Sequence, residues 1–262
     1  MPQLVATDLD GTIVRGDGTV SRRTVEAFTR VEKSGAEFVF VTGRPPRLIR
    51  EVSGAFGHRG LAICANGALI YDLHTETVVA QYPIPVGVLA EAARRLRDAI
   101  PDIGIAVEYA DELSGDERYE PWEWDRGVTL RRLSDTELLA RPAPKLLGRH
   151  PVLSADELLA LAAPALSGLV NVYHSNGLRL VEAIATGVSK ASALADLAAR
   201  RGLTPADVVA FGDMPNDLPM LAWAGTSYAV ANAHPDVLAA VDHVIGAVDD
   251  DGVAEILETL YG

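Results

Sequence analysis

The feature that most constrains this chain is a repeated pairing of a short apolar run, which reads as a buried strand, with a polar cluster directly after it. Residues 4–8 lead into Asp8-Leu9-Asp10-Gly11-Thr12, residues 37–41 into Thr42-Gly43-Arg44-Pro45, and residues 208–211 into Gly212-Asp213-Met214-Pro215-Asn216-Asp217. Helical stretches lie between them. Ser21 can cap one that runs to about Ser34 with Gly35 as its stop, and residues 191–201 read as another. Residues 61–65 read as a strand, Asn66-Gly67 as a turn before 68–71, and 227–230 and 244–245 as further short strands. Strands alternating with helices predict an α/β fold with a parallel sheet covered on both faces. Such sheets bind ligands beyond the C-terminal ends of their strands, where these polar clusters fall.

The middle of the chain has a different texture. A helical stretch over 86–99 precedes strand-like pieces at 103–109, 128–132 and 145–147. Ser154-Ala155-Asp156-Glu157 is a capping box opening a helix to about Leu166. Residues 169–173 and 179–183, separated by Ser175-Asn176-Gly177, read as a hairpin. This predicts two domains, residues 1–81 with 185–262 forming one and residues 82–184 an α+β insert. Glu108 to Asp125 holds eight acidic residues against Arg118, together with Tyr109, Tyr119, Trp122 and Trp124. It reads either as a solvated acidic loop pinned by its aromatics or as a specificity loop whose rings stack on a sugar. His174, Asn176 and Arg179 flank the hairpin turn, where a surface role and a binding role both stay open.

Composition narrows the function. A net charge of −13 argues against a nucleic-acid partner. No apolar run approaches the ~20 residues a membrane-spanning helix needs, and the first residues lack a signal-peptide pattern, which together point to a cytoplasmic protein. The single cysteine, Cys64, excludes a disulfide framework and any multi-cysteine metal site. No obligate protein partner is evident.

Asp8 and Asp10 project to the same side of an extended chain, so two carboxylates converge on one point. Such a pair serves as metal ligands or as nucleophile with acid/base. Gly11 lets backbone approach a phosphate, with its N–H expected free to donate. Thr42 and the N–H groups of Gly43 and Arg44 form a possible phosphate-binding turn ahead of a helix. Lys190 opens a helix and can neutralise a carboxylate nucleophile and a phosphoryl group. Asp213 and Asp217 add carboxylates that complete an oxygen-ligand Mg²⁺ site with Asp8. Each cluster alone also reads as an ordinary turn, helix cap or surface charge.

Taken together and in this order, the clusters resemble the four motifs of the haloacid dehalogenase (HAD) superfamily: Asp8-x-Asp10-Gly11-Thr12, Thr42, Lys190 and Gly212-Asp213-x-x-Asn216-Asp217. Only 33 residues separate Asp8 from Thr42, whereas Thr42 and Lys190 lie 148 positions apart. The insert's position and content, the Asn66-Gly67-Ala68 turn and the Gly-Val-Ser-Lys phrase resemble the Cof-type phosphatases with a type IIB cap.

The resemblance implies a Rossmann-like core with an inserted α+β cap. It implies a Mg²⁺-dependent phosphatase acting on a small phosphate ester, a sugar or polyol phosphate, through an aspartyl-phosphate on Asp8. Asp8, Asp10, Thr42 and Lys190 are then catalytic. Gly11, Thr42, Gly43, Arg44, Lys190 and Asn216 bind substrate, and Asp8, Asp10 (through its carbonyl), Asp213 and Asp217 form or orient the metal site. A phosphomutase or phosphoryl transferase on the same scaffold is the first alternative, and a non-catalytic metabolite sensor the second.

Overall fold

The computed structural model describes residues 1–122, 125, 128–174 and 179–262. They form two compact units. The first contains β1 (Leu4–Thr7), α1 (Arg22–Lys33), β2 (Glu37–Val41), α2 (Arg50–Ala55), β3 (Leu61–Cys64), β4 (Leu69–Asp72) and most of β5 (Thr77–Gln81). The chain then builds the second unit from α3 (Val86–Ala99), β6 (Gly104–Glu108), β7 (Leu113–Gly115), β8 (Arg131–Arg132), α4 (Asp135–Leu138), β9 (Lys145–Arg149), α5 (Ala155–Ala165), β10 (Val170–Tyr173) and β11 (Leu180–Ala185). It returns to the first unit with α6 (Lys190–Arg200), β12 (Val208–Gly212), α7 (Leu218–Trp223), β13 (Thr226–Val230), α8 (Pro235–Leu238), β14 (His243–Ile245) and α9 (Gly252–Tyr261).

The first unit's sheet runs β14-β13-β12-β1-β2-β3-β4-β5. Strands β14 to β3 are parallel, with Leu4 level with both Val208 and Glu37, so the predicted α/β fold is present. One edge departs from the expected parallel pattern: β3 and β4 pair antiparallel across the 65–67 turn, because a connection that short cannot make a parallel crossover. All of β1 and all of β12 are buried, as strands covered on both faces must be. Ser21 caps α1 by accepting the Thr24 N–H, and α1 packs against α9. Phe28 of α1 meets Phe38 of β2 edge-on at 5.1 Å and Phe56 at 5.4 Å, while Phe56 meets Phe40 at 4.9 Å. Each such pair adds about 0.5–1.5 kcal/mol beyond its buried area, which anchors the helix over the strand that leads to Thr42.

The fold places the chemistry through one topological fact. From β1 the chain winds outward through β2 and β3, then returns on the other side with β12, β13 and β14. The order therefore reverses between β1 and β12, and open α/β sheets leave a crevice at that switch point. Asp8 follows β1 and Asp213 follows β12.

The second unit is a sheet ordered β10-β11-β9-β6-β7-β8, antiparallel except for the β7–β8 pair. Leu89 and Leu96 of α3 and Leu158 and Leu166 at α5 share one core with Ile105, Val107, Leu146 and Val181 on one sheet face. The opposite face carries Ala106, Leu113, Tyr119, Leu147 and Leu180. The capping box is present: Ser154 Oγ accepts the Glu157 N–H at 3.3 Å and the Glu157 carboxylate accepts the Ser154 N–H at 2.9 Å. Pro45–Leu48 groups with this unit, since the Arg47 N–H donates to the Ala110 carbonyl at 3.3 Å and its guanidinium pairs with Glu108.

The acidic stretch is less solvated than a loop reading implies. Leu113–Gly115 is a strand, Tyr119 is fully buried, and Trp122 is half-exposed. Glu112 pairs with Arg131 at 3.1 Å and with Arg141, and Asp116 pairs with Arg97 at 2.9 Å. His174 pairs with Asp156 and Arg179 donates to the Pro151 carbonyl. Glu123, Trp124 and the turn Ser175-Asn176-Gly177 lie outside the described residues. Among the described residues no helix is long and apolar enough to cross a membrane.

Candidate active site

The first unit brings three carboxylates and one ammonium together. Asp8, Asp213 and Asp217 each offer an oxygen within 4.8 Å of the others, and all three are buried. Lys190 Nζ donates to Asp8 Oδ1 at 2.7 Å and to Asp217 Oδ1 at 2.6 Å.

Each side chain is held by a local rule. Asp8 follows β1, where its own N–H continues the sheet ladder to the Phe211 carbonyl at 2.9 Å. Lys190 is the first residue of α6, whose cap is reciprocal: Ser189 Oγ accepts the Ser192 N–H and Ser192 Oγ accepts the Ser189 N–H. Asp217 Oδ2 accepts the N–H groups of Asp213 and Met214 at 3.1 and 3.0 Å, closing the loop after β12. Both Asp217 oxygens are therefore engaged, one by backbone and one by Lys190, which fits a residue that orients Lys190 and Asp213. Asp213 accepts the Thr12 hydroxyl at 3.1 Å.

Electrostatics follow from this crowding. Burial pushes the Asp8 carboxyl well above the usual carboxylate range, Lys190 pulls it down, and Asp217 and Asp213 push it up again. Asp213 is raised to about 7, chiefly by burial and then by Asp217. Burial alone would lower Lys190, but Asp217 and Asp8 outweigh it and hold the ammonium above its ordinary value. Three buried acids sharing one buried cation lack positive charge. Hard oxygen donors at this spacing are the donor set a small divalent cation takes, so the residues present fit a bound metal ion.

Gly11 has φ of +84°, and a Cβ there would stand 2.4 Å from Asp213 Oδ2. Its N–H, expected free for phosphate, instead donates to the Val14 carbonyl at 2.9 Å and closes the turn. The physical reason is that residues 9–14 fold back on themselves, with Leu9 accepting from Thr12, Ile13 and Val14. What Gly11 supplies in this structure is the missing side chain.

Asp10 lies outside the carboxylate triad, with its side chain half-exposed and bound by Arg44, whose Nε donates to Oδ2 at 2.7 Å. Thr42 is buried, and its Oγ1 accepts the Arg44 N–H at 3.1 Å, leaving the hydroxyl proton to donate elsewhere. Gly43 lies in the same turn. Asn216 donates through Nδ2 to Asn66 Oδ1 at 3.1 Å.

Three residues enter the site that the motif reading does not assign. Thr12 was visible as a motif letter, without a role. Asn66 shows in sequence only as half of an Asn-Gly turn. Asn232, which donates to the Gly11 carbonyl at 2.8 Å and accepts the Val248 N–H at 2.9 Å, carries no sequence signal.

Known proteins resemble this chain in sequence and in fold. The chain is 29% identical over 269 residues to pyridoxal phosphate phosphatase YbhA of Escherichia coli (strain K12), covering 97% of each. A haloacid dehalogenase-like hydrolase from Bacteroides thetaiotaomicron superposes with TM-score 0.80 at 27% identity, covering 99% of this chain and 100% of the other. A HAD subclass IIB sugar phosphatase shares the fold with TM-score 0.79 at 20% identity, covering 98% of both chains. Residues 5–257, from the strand before Asp8 into the C-terminal helix, match the haloacid dehalogenase-like hydrolases, and the chain belongs to that family.

Proposed function

We propose that this hydrolase is a phosphatase that cleaves a small phosphate monoester through an aspartyl-phosphate on Asp8. The observation that carries the reading is the buried Lys190 bridge between Asp8 and Asp217 beside Asp213, at the switch point of the sheet. That set matches the needs of phosphoryl transfer, which are an in-line carboxylate nucleophile, neutralised charge and a metal site.

Asp8 attacks phosphorus and the ester oxygen leaves with its electron pair. Asp10 protonates that oxygen and then takes a proton from the water that hydrolyses the aspartyl-phosphate. Arg44 holds the Asp10 carboxylate in the resting protein. Lys190 offsets the negative charge shared by Asp8 and the incoming phosphate. Thr42 donates its hydroxyl to a phosphoryl oxygen, with Gly43 and Arg44 in the same turn. Asp8, Asp213 and the Asp10 carbonyl would hold Mg²⁺, which when bound supplies charge stabilisation to the transferring phosphoryl group. Asp217 positions Lys190 and Asp213, and the second unit acts as a cap that selects the leaving group.

The substrate class is a sugar or polyol phosphate. A relative named for pyridoxal phosphate makes that ester the necessary comparison. The test is phosphate release from sugar phosphates, polyol phosphates and pyridoxal 5′-phosphate, with Mg²⁺ or EDTA, by wild type and Asp8→Asn. Magnesium-dependent turnover that falls by at least roughly 10³-fold in Asp8→Asn is expected. Undiminished turnover in Asp8→Asn would refute the mechanism, and silence of the wild type on every ester would refute the activity.

A further inference from the structure

Ala65, Asn66 and Gly67 form a turn in which all three residues have positive φ: 52°, 55° and 108°. Two side-chain-bearing residues in succession in the left-handed region are held only where surrounding contacts enforce them. Here the contacts run to the Thr42 turn, the start of α6 and the loop after β12. The Ala65 N–H donates to the Arg44 carbonyl at 2.9 Å, and the Asn66 N–H to the Thr42 carbonyl at 3.0 Å. At Gly67 a Cβ would stand 2.2 Å from the Ser189 carbonyl oxygen and 3.2 Å from the Lys190 nitrogen, so the turn sits directly on the start of α6. The Asn66 side chain, 1% exposed, accepts from Asn216, the residue before Asp217.

We infer that Asn66 is a positioning residue for the phosphoryl-transfer site, fixing the phosphate-holding turn at Thr42 relative to the acidic loop that carries Asp213 and Asp217. The inference rests on the phosphatase reading above. The Thr42 turn and the acidic loop follow different strands, β2 and β12, which are separated by β1. Asn66 spans the gap with one residue, its backbone holding the first segment and its amide oxygen the second. Asn216 thereby reports the position of Thr42 to Asp217, whose oxygens place Lys190 and the Asp213 backbone. Reaction rates in such sites respond to displacements of an ångström or less, so a loosened bridge lowers turnover before it lowers affinity.

The experiment compares Asn66→Gly, Asn216→Ala and the double variant on one ester that the wild type hydrolyses. Glycine keeps the left-handed turn and both backbone N–H bonds while removing only the side-chain amide. Each single variant should lower kcat by on the order of tenfold with KM within about twofold, and the double variant should be no slower than either single one. Full kcat in Asn66→Gly would overturn the inference alone, as would single effects that multiply in the double variant. Should Asn66→Gly fail to fold, Asn216→Ala carries the same kcat-against-KM test, and an unchanged kcat there overturns the inference. A wild type with no turnover on any ester overturns the phosphatase reading, and this one with it.

Discussion

Lys190 and Lys145 are both withdrawn from solvent, 2% and 1% exposed, and each stands between two carboxylates. Lys190, in the first unit, bonds Asp8 and Asp217 at 2.7 and 2.6 Å, with a third acid, Asp213, alongside. Lys145, in the middle of the second unit's sheet on β9, reaches Glu108 on β6 and Glu182 on β11 at 3.4 and 3.3 Å. Burial alone would lower the Lys145 ammonium, but Glu182 and Glu108 hold it above its ordinary value, as happens at Lys190. The difference lies in the remaining charge. Around Lys190 three acids share one cation. Around Lys145 the acids have a second base, since Arg47 pairs with Glu108 and lies 3.5 Å from Asp125. One set is left short of positive charge at the end of a strand, and the other is nearly neutralised within a sheet. The same residue types thus give an incomplete site in one unit and an internal tie in the other.

The strongest way to break this comparison is to remove each lysine. Lys190→Met and Lys145→Met each leave buried carboxylates without their ammonium and should each lose roughly 3–5 kcal/mol of stability. Their activities should part. Lys190→Met should fall by roughly 10³-fold in turnover, whereas Lys145→Met should stay within about threefold per folded molecule, as expected of a group outside the chemistry. Denaturant unfolding and phosphate release on the same preparations check both. Equal losses of turnover would show that the second cluster belongs to the chemistry too.

A smaller effect sharpens the electrostatic half. Asp8 and Asp213 have folded pKa values raised above those of the unfolded chain, so the folded state binds more protons and its stability falls as pH rises toward about 7 and beyond. In EDTA the melting temperature should drop by several degrees between pH 5 and pH 8. Mg²⁺ favours the ionised acids, so the stabilisation it gives should grow over the same interval. Thermal melts with and without Mg²⁺ would show it, and a Mg²⁺ effect independent of pH would contradict the assignment. The smallest expected change is Ser154→Ala, which removes the cap of α5 and should cost about 1 kcal/mol in denaturant unfolding, with turnover unaltered.

Much of this is legible in the sequence. The strand at 37–41, the helix after Ser21 and the helix over 86–99 coincide with β2, α1 and α3, because apolar period and caps are local properties. The charged groups after the strands and at the start of α6 are legible for the same reason: Asp8, Asp213 and Lys190 meet once strand order and crossover hand are given. Other elements left weak local traces. Thr77–Gln81 lies largely exposed at a sheet edge, where no alternation of buried and exposed residues marks it. The Arg44–Asp10 pair, the Asn66–Asn216 bond and the loss of the Gly11 N–H to Val14 depend on how loops fold over one another, and residue spacing does not encode that.

The central place of β1 has a consequence for how the molecule is made. One edge of β1 finds β2 within about forty residues of synthesis, but its other edge belongs to β12, which follows the entire second unit. A nascent chain at the ribosome therefore carries Asp8 on an apolar strand with an open edge while more than a hundred further residues are added. Such long-range closure is slow and leaves sheet edges exposed to wrong partners. The second unit, contiguous apart from Pro45–Leu48, has all of its strands available first. The candidate active site is thus among the last parts of the molecule to assemble, and a chain interrupted before β12 holds Asp8 without Lys190's second anchor or Asp213.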